Sequence, residues 1–226
     1  MAFINRFTST TRGSIRFIGN TLGLSKQTNL NAAGTLGSIG AFSSLLSGSV
    51  SNFPANTTLS FADNGSTANL ALPPGSTVLY AELIWGGNYL SRDQNIVSQI
   101  NNSVTFTNAQ NNSVTIPTSP VTAQQFTFNS SGLTFGYYMR SANVSSIVQN
   151  SGNGTYSVRG VPGLVDPIDS STQDTNHAGW TPAVVYENAN EVLSNLNLWV
   201  GGEIVSPNTP NVDVTVTGFL TPASGT

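Results

Sequence analysis

The sequence predicts an all-β protein: a two-sheet, jelly-roll-like sandwich with one short helix and an extended N-terminal arm. Short runs rich in β-branched and aromatic residues, about a dozen in all, are separated by turns rich in Gly, Asn and Pro. Three of these runs, 78–87, 179–187 and 196–203, each contain a Trp. Burying one Trp stabilises a core by about 4–6 kcal/mol, at 25 cal/mol per Å². The three runs are therefore expected to anchor one core.

The first 51 residues are predicted to be an N-terminal arm and a Gly-, Ser- and Ala-rich linker, which can contribute strands. Alternation over 14–18 indicates a strand with Ile15 and Phe17 on one face. Residues 29–51 are small and of low complexity, which favours a loose linker or a thin strand pair. The sequence thus divides into arm and linker (1–51) and a β-sandwich domain (52–226).

The elements of the sandwich domain are predicted from local patterns. Apolar residues alternate on both sides of Asp63-Asn64-Gly65, which indicates a hairpin. Residues 141–149 form the only predicted helix, ended by Gly152. Residues 212–219 alternate cleanly and are predicted to be the closing strand. The other predicted strands are 78–85, 104–107, 114–116, 124–128, 133–140, 156–158, 179–187 and 196–203.

The composition points to a protein that associates with others. Only 8% of the residues are charged, so the polar surface must consist of Asn, Ser, Thr and Gln. Because such a surface carries few charges, the electrostatic repulsion between two copies of the protein is weak. The chain has no Cys, which excludes disulfides and thiolate chemistry. No run approaches the ~20 apolar residues of a membrane span. No apolar signal-peptide segment is visible either.

Charge is distributed unevenly along the chain. Residues 1–62 contain four basic residues and no acid, whereas residues 166–226 contain seven acids and no Lys or Arg. Such ends can steer one copy onto the next, or they can meet within one monomer. The acidic balance argues against nucleic acid as a partner.

No residue pattern indicates catalysis. His177 is the only histidine and precedes a predicted strand. A hydrolytic triad would need a nucleophile beside it, and the nearest candidates, Ser170 and Ser171, lie in no Gly-x-Ser-x-Gly motif. Gly-rich phosphate loops and HExxH are also missing. We therefore expect a structural His177 and a protein that is not an enzyme.

Two acidic features need an explanation. Asp166, Asp169, Asp174 and Asn176 crowd one loop, and Ca²⁺ takes six to eight oxygen ligands of this kind. Their spacing matches no EF-hand, and the alternative is a turn-rich loop in which these side chains cap local backbone. Glu82 lies inside an apolar strand. It is expected to pair with an Arg or to face a cleft, and structural pairing is favoured.

Six stretches of the chain match a known class of proteins: 1–7, 19–25, 72–78, 81–87, 178–188 and 200–203. They resemble large, repeat-containing cell-surface proteins of Gram-positive bacilli, and the resemblance covers most of the chain. In those proteins a non-repetitive β domain precedes tandem conserved repeats. The resemblance implies surface or spore-coat architecture, adhesion or fibre formation, and so an extracellular, cell-surface or spore-surface location.

These observations favour a non-enzymatic structural protein that self-associates into fibres or a surface layer. Its N-terminal strand would complete a sheet on a neighbour. Assembly is expected to involve Ile15, Phe17, Arg6, Arg12 and Arg16. The partners would be other copies of the chain, surface glycans or a host surface. The alternative is a monomeric calcium- or carbohydrate-binding adhesion domain in which exposed tyrosines stack on sugar, and a viral coat jelly roll would share the composition.

Overall fold

A computed structural model describes residues 3–26, 38–91, 94–130, 132–165, 177–205, 211, 213–215 and 217. The all-β, sandwich-like fold is confirmed. One α-helix, α1 (Ser145–Ser151), occurs in this part of the chain. The strands are β1 (Ile4–Phe17), β2 (Asn20–Thr21), β3 (Gly23–Ser25), β4 (Ile39–Ser43), β5 (Thr57–Thr58), β6 (Gly65–Leu70), β7 (Thr77–Ser91), β8 (Gln94–Asn95), β9 (Val104–Thr107), β10 (Ser113–Ile116), β11 (Gln124–Ser130), β12 (Leu133–Asn143), β13 (Gly154–Arg159), β14 (Ala178–Glu187) and β15 (Leu193–Val200).

The strands form three antiparallel sheets. The large sheet has the order β11-β12-β7-β14-β1-β15, with β2 paired to β14 and β8 paired to β7. A second sheet has the order β10-β9-β13-β6, and a third consists of β3, β4 and β5. The long strand β7 is central because β12 and β14 pair along most of its length.

The main core lies between the large sheet and the four-stranded sheet. Trp85 and Trp180 are buried there, as the sequence predicts, together with Tyr138, Phe106 and Tyr156. The indole Nε1 of Trp180 donates a hydrogen bond to Ser66 Oγ at 2.8 Å and so ties β14 to β6. The third Trp, in β15, is only half-buried.

Strand β1 bends and covers the opposite face of the large sheet. Its second half, residues 13–17, pairs with β14, whereas its first half, residues 4–12, pairs with β15. The β1–β15 ribbon (residues 4–12 with β15) packs Phe7 and two leucines of β15 onto Tyr80 of β7. The Phe7 and Tyr80 ring centroids are 5.4 Å apart. At the bend, a Cβ on Gly13 would lie 2.1 Å from Tyr186 O, so only glycine fits.

The bend changes the interpretation of the N-terminal segment. The described residues 3–26 do not extend from the domain as an arm, because β1 and β2 belong to the large sheet of the same chain. β3 and β4 pair with each other, and β4 pairs with β5 beyond residue 51. The predicted arm and linker therefore contribute four strands to the sandwich.

Two other local predictions differ from the structure. Residues 61–63 form a short 3-10 turn, and the following strand β6 pairs with β13, so Asp63-Asn64-Gly65 is not a hairpin turn. Within 212–219, the described residues 213–215 and 217 lie in no strand and are exposed. The helix is confirmed, although it begins at Ser145 because residues 141–143 complete β12. No helix in the described ranges is long and apolar enough to cross a membrane.

Candidate functional site

The β1–β15 ribbon leaves part of the large sheet's outer face uncovered. There the strands and the chain after β15 enclose a cavity of about 540 Å³, which we call the aromatic groove. At the floor of the groove, Gly86 and Gly87 follow Trp85. Glycine lets the backbone of β7 lie close to that of β12, because a Cβ on Gly86 would meet Tyr138 O at 2.5 Å. The main lining side chains are Ile84, Phe126, Tyr137, Met139, His177 and Ile204.

Strand register places the aromatic residues on one face. Tyr137 of β12 lies opposite Phe126 of β11, and Phe135 lies opposite Phe128. Opposite residues of an antiparallel pair point to the same side of a sheet. The Phe128 ring centroid is 5.8 Å from that of Tyr137 and 5.2 Å from that of Phe135. Phe126 and Tyr137 line the groove, and the ring of Tyr137 is stacked against Phe128 beside it.

His177 extends this stack at the rim of the groove. Its imidazole is centred 5.8 Å from the Tyr137 ring, and its own carbonyl accepts a hydrogen bond from Asn88 N at 3.0 Å. The side chain is exposed on one side, yet desolvation by the surrounding protein lowers the pKa of His177. The imidazole is therefore neutral at pH 7. These contacts agree with a structural histidine; the candidate nucleophiles Ser170 and Ser171 lie outside the described residues.

A charged cluster lies where the ribbon meets the sheet. Glu82 is completely buried, and its Oε2 lies 3.3 Å from Arg6 Nε, so the Arg pairing expected from the sequence is confirmed. Tyr80 donates its hydroxyl to the same carboxylate, and Ser141 Oγ donates to Oε1 at 2.5 Å. Thr122 Oγ1 lies 2.6 Å from Ser141 Oγ. The buried carboxylate thus has hydrogen-bond partners from three strands, β1, β7 and β12, and Thr122 extends the network through Ser141.

Contact with Glu82 shifts the pKa values of two of its partners, Tyr80 and Arg6. Burial and the hydrogen bond to Glu82 raise the pKa of Tyr80, so its hydroxyl stays protonated as a donor. Burial opposes the charge on Arg6, but the attraction and hydrogen bonds of Glu82 and Tyr80 together outweigh burial and raise the pKa of Arg6. The cluster therefore joins β1 to the centre of the sheet through a buried ion pair and hydrogen bonds.

Strand β11 is the outermost strand at one end of the large sheet. Among the strands that the structure describes, it pairs only with β12. Its seven residues include neither a charge nor a proline, the usual means of protecting an edge. One face carries Phe126 and Phe128 toward the groove, whereas Gln125, Thr127 and Asn129 are exposed on the other face. β11 is therefore an amphipathic edge strand among the strands that the structure describes.

The predicted assembly residues are divided between the interior and the surface. Ile15 packs in the small core under the ribbon, and Arg6 is held by Glu82. Arg12 Nη1 donates to a backbone carbonyl at 3.1 Å. Arg16 and Phe17 are exposed, and Phe17 retains 57% of its accessible surface. Only these last two side chains, with the outer part of Arg12, are presented to a neighbour.

The proposed calcium ligands, Asp166, Asp169, Asp174 and Asn176, lie outside the described residues. Elsewhere in the described chain, no group of three or more His, Asp or Glu side chains is placed to hold a metal ion. The groove and the β11 edge were not predicted from the sequence, although alternation of Phe126 and Phe128 was the available signal.

Comparison with protein-family models, with curated proteins and with solved structures gives no match to this chain.

Proposed function

We propose that this protein is a non-enzymatic structural module that self-associates by strand pairing, in an extracellular, cell-surface or spore-surface layer or fibre. The observation that carries this proposal is the composition of β11, the outermost described strand at one end of the large sheet, which contains neither a charge nor a proline. Charged residues and prolines are the usual means by which an edge strand is kept from pairing with another chain. The low charge of the sequence supports the proposal, because it leaves little repulsion between copies.

Donation of the N-terminal strand takes the form of an exchange. In the closed chain, residues 4–12 already pair with β15 and cover Tyr80. The same contacts are available to the first strand of a neighbouring copy, since an exchanged element makes identical interactions. Exchange would thus link copies without requiring a new interface at this site.

An exchange can be trapped by cross-linking, because the chain has no cysteine of its own. Thr8 and Asn197 lie opposite each other in the ribbon, with Thr8 Oγ1 2.8 Å from Asn197 Oδ1. Cysteines at a directly opposite pair are close enough to bridge. The double variant Thr8→Cys, Asn197→Cys is oxidised after concentrated protein has assembled. Covalent dimers and longer ladders on a denaturing gel are expected.

Bridged monomers alone would reject strand exchange, while the mass of the native particle tests self-association separately. The single variant Thr8→Cys is the control, because it can form no ribbon bridge. Sedimentation of the unmodified chain should show mass rising with concentration, and a mass that stays monomeric would reject self-association as a whole.

Charge steering makes a further contribution to the proposal. The exposed Arg12 and Arg16 belong to the basic N-terminal part of the chain, whereas residues 166–226 are acidic. Contacts between such surfaces are screened by salt. Association should therefore weaken as ionic strength rises.

Carbohydrate binding is the second candidate function, and the aromatic groove favours it. Tyr137 and His177 line a cavity whose volume of about 540 Å³ falls in the range of small-ligand sites, roughly 300–1,000 Å³. A glycan array followed by calorimetry tests this candidate. The variant Tyr137→Ala should abolish any binding, whereas Tyr89→Phe, at a buried site in the main core, should retain it.

A further inference from the structure

The outer side of the four-stranded sheet carries short polar side chains. Its inner side packs Phe106 of β9 and Tyr156 of β13 into the main core. Because successive residues of a strand point to opposite sides of a sheet, the residues next to these two rings point outward. We call this outer surface the hydroxyl face, and it consists of Thr105, Thr107, Ser113, Thr115, Ser157 and Arg159.

Strand register arranges the hydroxyl face in two rows. In the first row, Thr105 of β9 lies opposite Thr115 of β10 on one side and opposite Arg159 of β13 on the other. The second row is centred on Thr107, two residues further along β9. Neighbouring strands lie about 4.8 Å apart, and residues i and i+2 of one strand lie about 6.8 Å apart. The rows therefore present closely spaced hydroxyl groups beside one guanidinium group.

The hydroxyl face forms few side-chain hydrogen bonds within the protein. Thr107 Oγ1 lies 2.9 Å from Ser113 Oγ. The side chains of Thr105, Thr115 and Ser157 have no hydrogen-bond partner among the described residues. Thr115 is exposed and Thr105 is half-buried. Because each hydroxyl can both donate and accept a hydrogen bond, these groups can serve a ligand that carries hydroxyls of its own.

Arg159 is the only charged residue in the four strands of this sheet, which contain no acid. Its stem lies against Gly65, where an added Cβ would come within 2.8 Å of Arg159 Cγ. Its Nε is enclosed by protein and has no hydrogen-bond partner. No acid or carbonyl of the described chain accepts a hydrogen bond from the side chain of Arg159. The guanidinium is thus restrained by packing, yet its donors are unused, which is uncommon for a half-buried group.

We propose that the hydroxyl face binds a glycan that carries a carboxylate, of the kind found in uronic acids. The carboxylate pairs with the terminal Nη groups of Arg159, since a guanidinium offers parallel N–H donors to the two oxygens of a carboxylate. Hydroxyls of the same sugar exchange hydrogen bonds with Thr105 and Thr115 in the first row. Charge complementarity selects an anionic sugar, because the four strands of this sheet hold a cation and no acid. Packing of the arginine stem lowers the entropy lost on binding.

This site is separate from the features used above. The aromatic groove and the β1–β15 ribbon lie on the large sheet, whereas the hydroxyl face lies on the outer side of the four-stranded sheet. Glycan binding here is therefore a second function of the chain, which depends neither on strand exchange nor on the groove.

Calorimetric titration of the full chain with a tetrasaccharide of galacturonic acid tests the site. Arg159→Gln should raise the dissociation constant at least about tenfold, which corresponds to 1.4 kcal/mol. Thr105→Val keeps the shape of the side chain and removes one hydroxyl, so it should raise the dissociation constant roughly two- to tenfold. Arg159→Lys keeps the charge without the planar fork, and its affinity should lie between those of the unmodified chain and Arg159→Gln.

Arg16→Gln and Thr127→Val are the matched controls, because both residues are exposed on the large sheet. Both should bind the tetrasaccharide as the unmodified chain does. The urea midpoint of each variant is measured as well, so that affinities are compared only between folded chains. Thr105→Val supplies the test if loss of Arg159 prevents folding.

A neutral tetrasaccharide of galactose shows the contribution of the carboxylate, and it should bind at least about tenfold more weakly than the acidic one. Equal binding of the two tetrasaccharides would overturn the inference. No binding of either sugar, or unchanged binding in both Arg159→Gln and Thr105→Val, would overturn it too. Sedimentation measures self-association separately: a chain that stays monomeric but binds the acidic sugar would reject the proposed function and support this site.

Discussion

The charged cluster beneath the ribbon allows a quantitative test of how the first strand is held. Glu82 is fully buried, and the side chain of Arg6 is only 20% exposed. The variant Arg6→Met keeps most of the apolar stem and removes the charge, so the carboxylate loses its cation. Removing one member of a buried ion pair costs about 3–5 kcal/mol. Two hydroxyl donors remain on Glu82, from Tyr80 and Ser141, so we expect a loss near 3 kcal/mol, the lower limit of that range.

Urea unfolding followed by tryptophan fluorescence measures this loss. For a chain of this length, 3 kcal/mol corresponds to a decrease in melting temperature of about 6–12 °C. Arg16→Met is the matched control, because Arg16 lies exposed on the same strand and its replacement should cost no more than about 0.5 kcal/mol. The double variant Arg6→Met, Glu82→Gln should recover part of the loss, since no unpaired charge remains buried. Equal stability of the Arg6 and Arg16 variants would refute the importance of this pair.

Three further predictions concern the bend and the titratable groups. In the same urea titration, Gly13→Ala should destabilise the chain by about 1–3 kcal/mol, because its Cβ would meet Tyr186 O at 2.1 Å. Gly179→Ala should cost less, because the atom nearest to its Cβ would be 3.3 Å away. Burial raises the pKa of Tyr138, so the folded state keeps a proton that the unfolded chain loses, and stability should fall above pH ~10 by up to about 1.4 kcal/mol per pH unit. A slope unchanged in Tyr138→Phe would contradict that assignment. Desolvation lowers the pKa of His177, so the unfolded chain binds a proton at a higher pH than the folded chain does. The urea midpoint of unfolding should therefore decrease as pH falls through about 6.5. His177→Gln should remove that decrease.

The strands of the sandwich were predictable where a local pattern was sufficient. Alternating and β-branched residues at 78–85, 133–140 and 179–187 predict strands, and all three occur as β7, β12 and β14. Asn111, between β9 and β10, has a positive φ of 62°, a conformation that Asn tolerates in turns. These features depend on neighbours within a few residues, which a sequence displays directly.

Local patterns could not predict which strands pair with each other. Alternation identifies residues 14–18 as a strand, but nothing local indicates that β1 pairs with both β14 and β15 of its own chain. Similarly, Asn64 suggests a hairpin turn, whereas its side-chain oxygen accepts bonds from the backbone N–H groups of Gly160 and Val161. Long-range hydrogen bonds overrode the local turn signal in this case.

The aromatic groove depends on the register of several strand pairs at once. Phe128, Tyr137 and His177 come from two strands and the start of a third, and they form one stack only because β11, β12, β7 and β14 align side by side. The Glu82 pairing was predicted as a type of contact, but Arg6 could not be chosen as its partner from the sequence. The metal-site prediction at 166–176 stays a prediction.

The pairing of β1 with β14 and β15 has a consequence for synthesis on the ribosome. Ile4 lies opposite Val200, so β1 is translated long before β15, the strand with which its first half pairs. Contacts of such large sequence separation slow folding. During this delay the apolar Phe7 and Ile15 are uncovered on nascent chains, and on a crowded polysome another copy's β15 is as near as the chain's own. Translation rate and chaperone supply would then determine the proportion of molecules that fold as closed monomers and the proportion that exchange β1 with another copy.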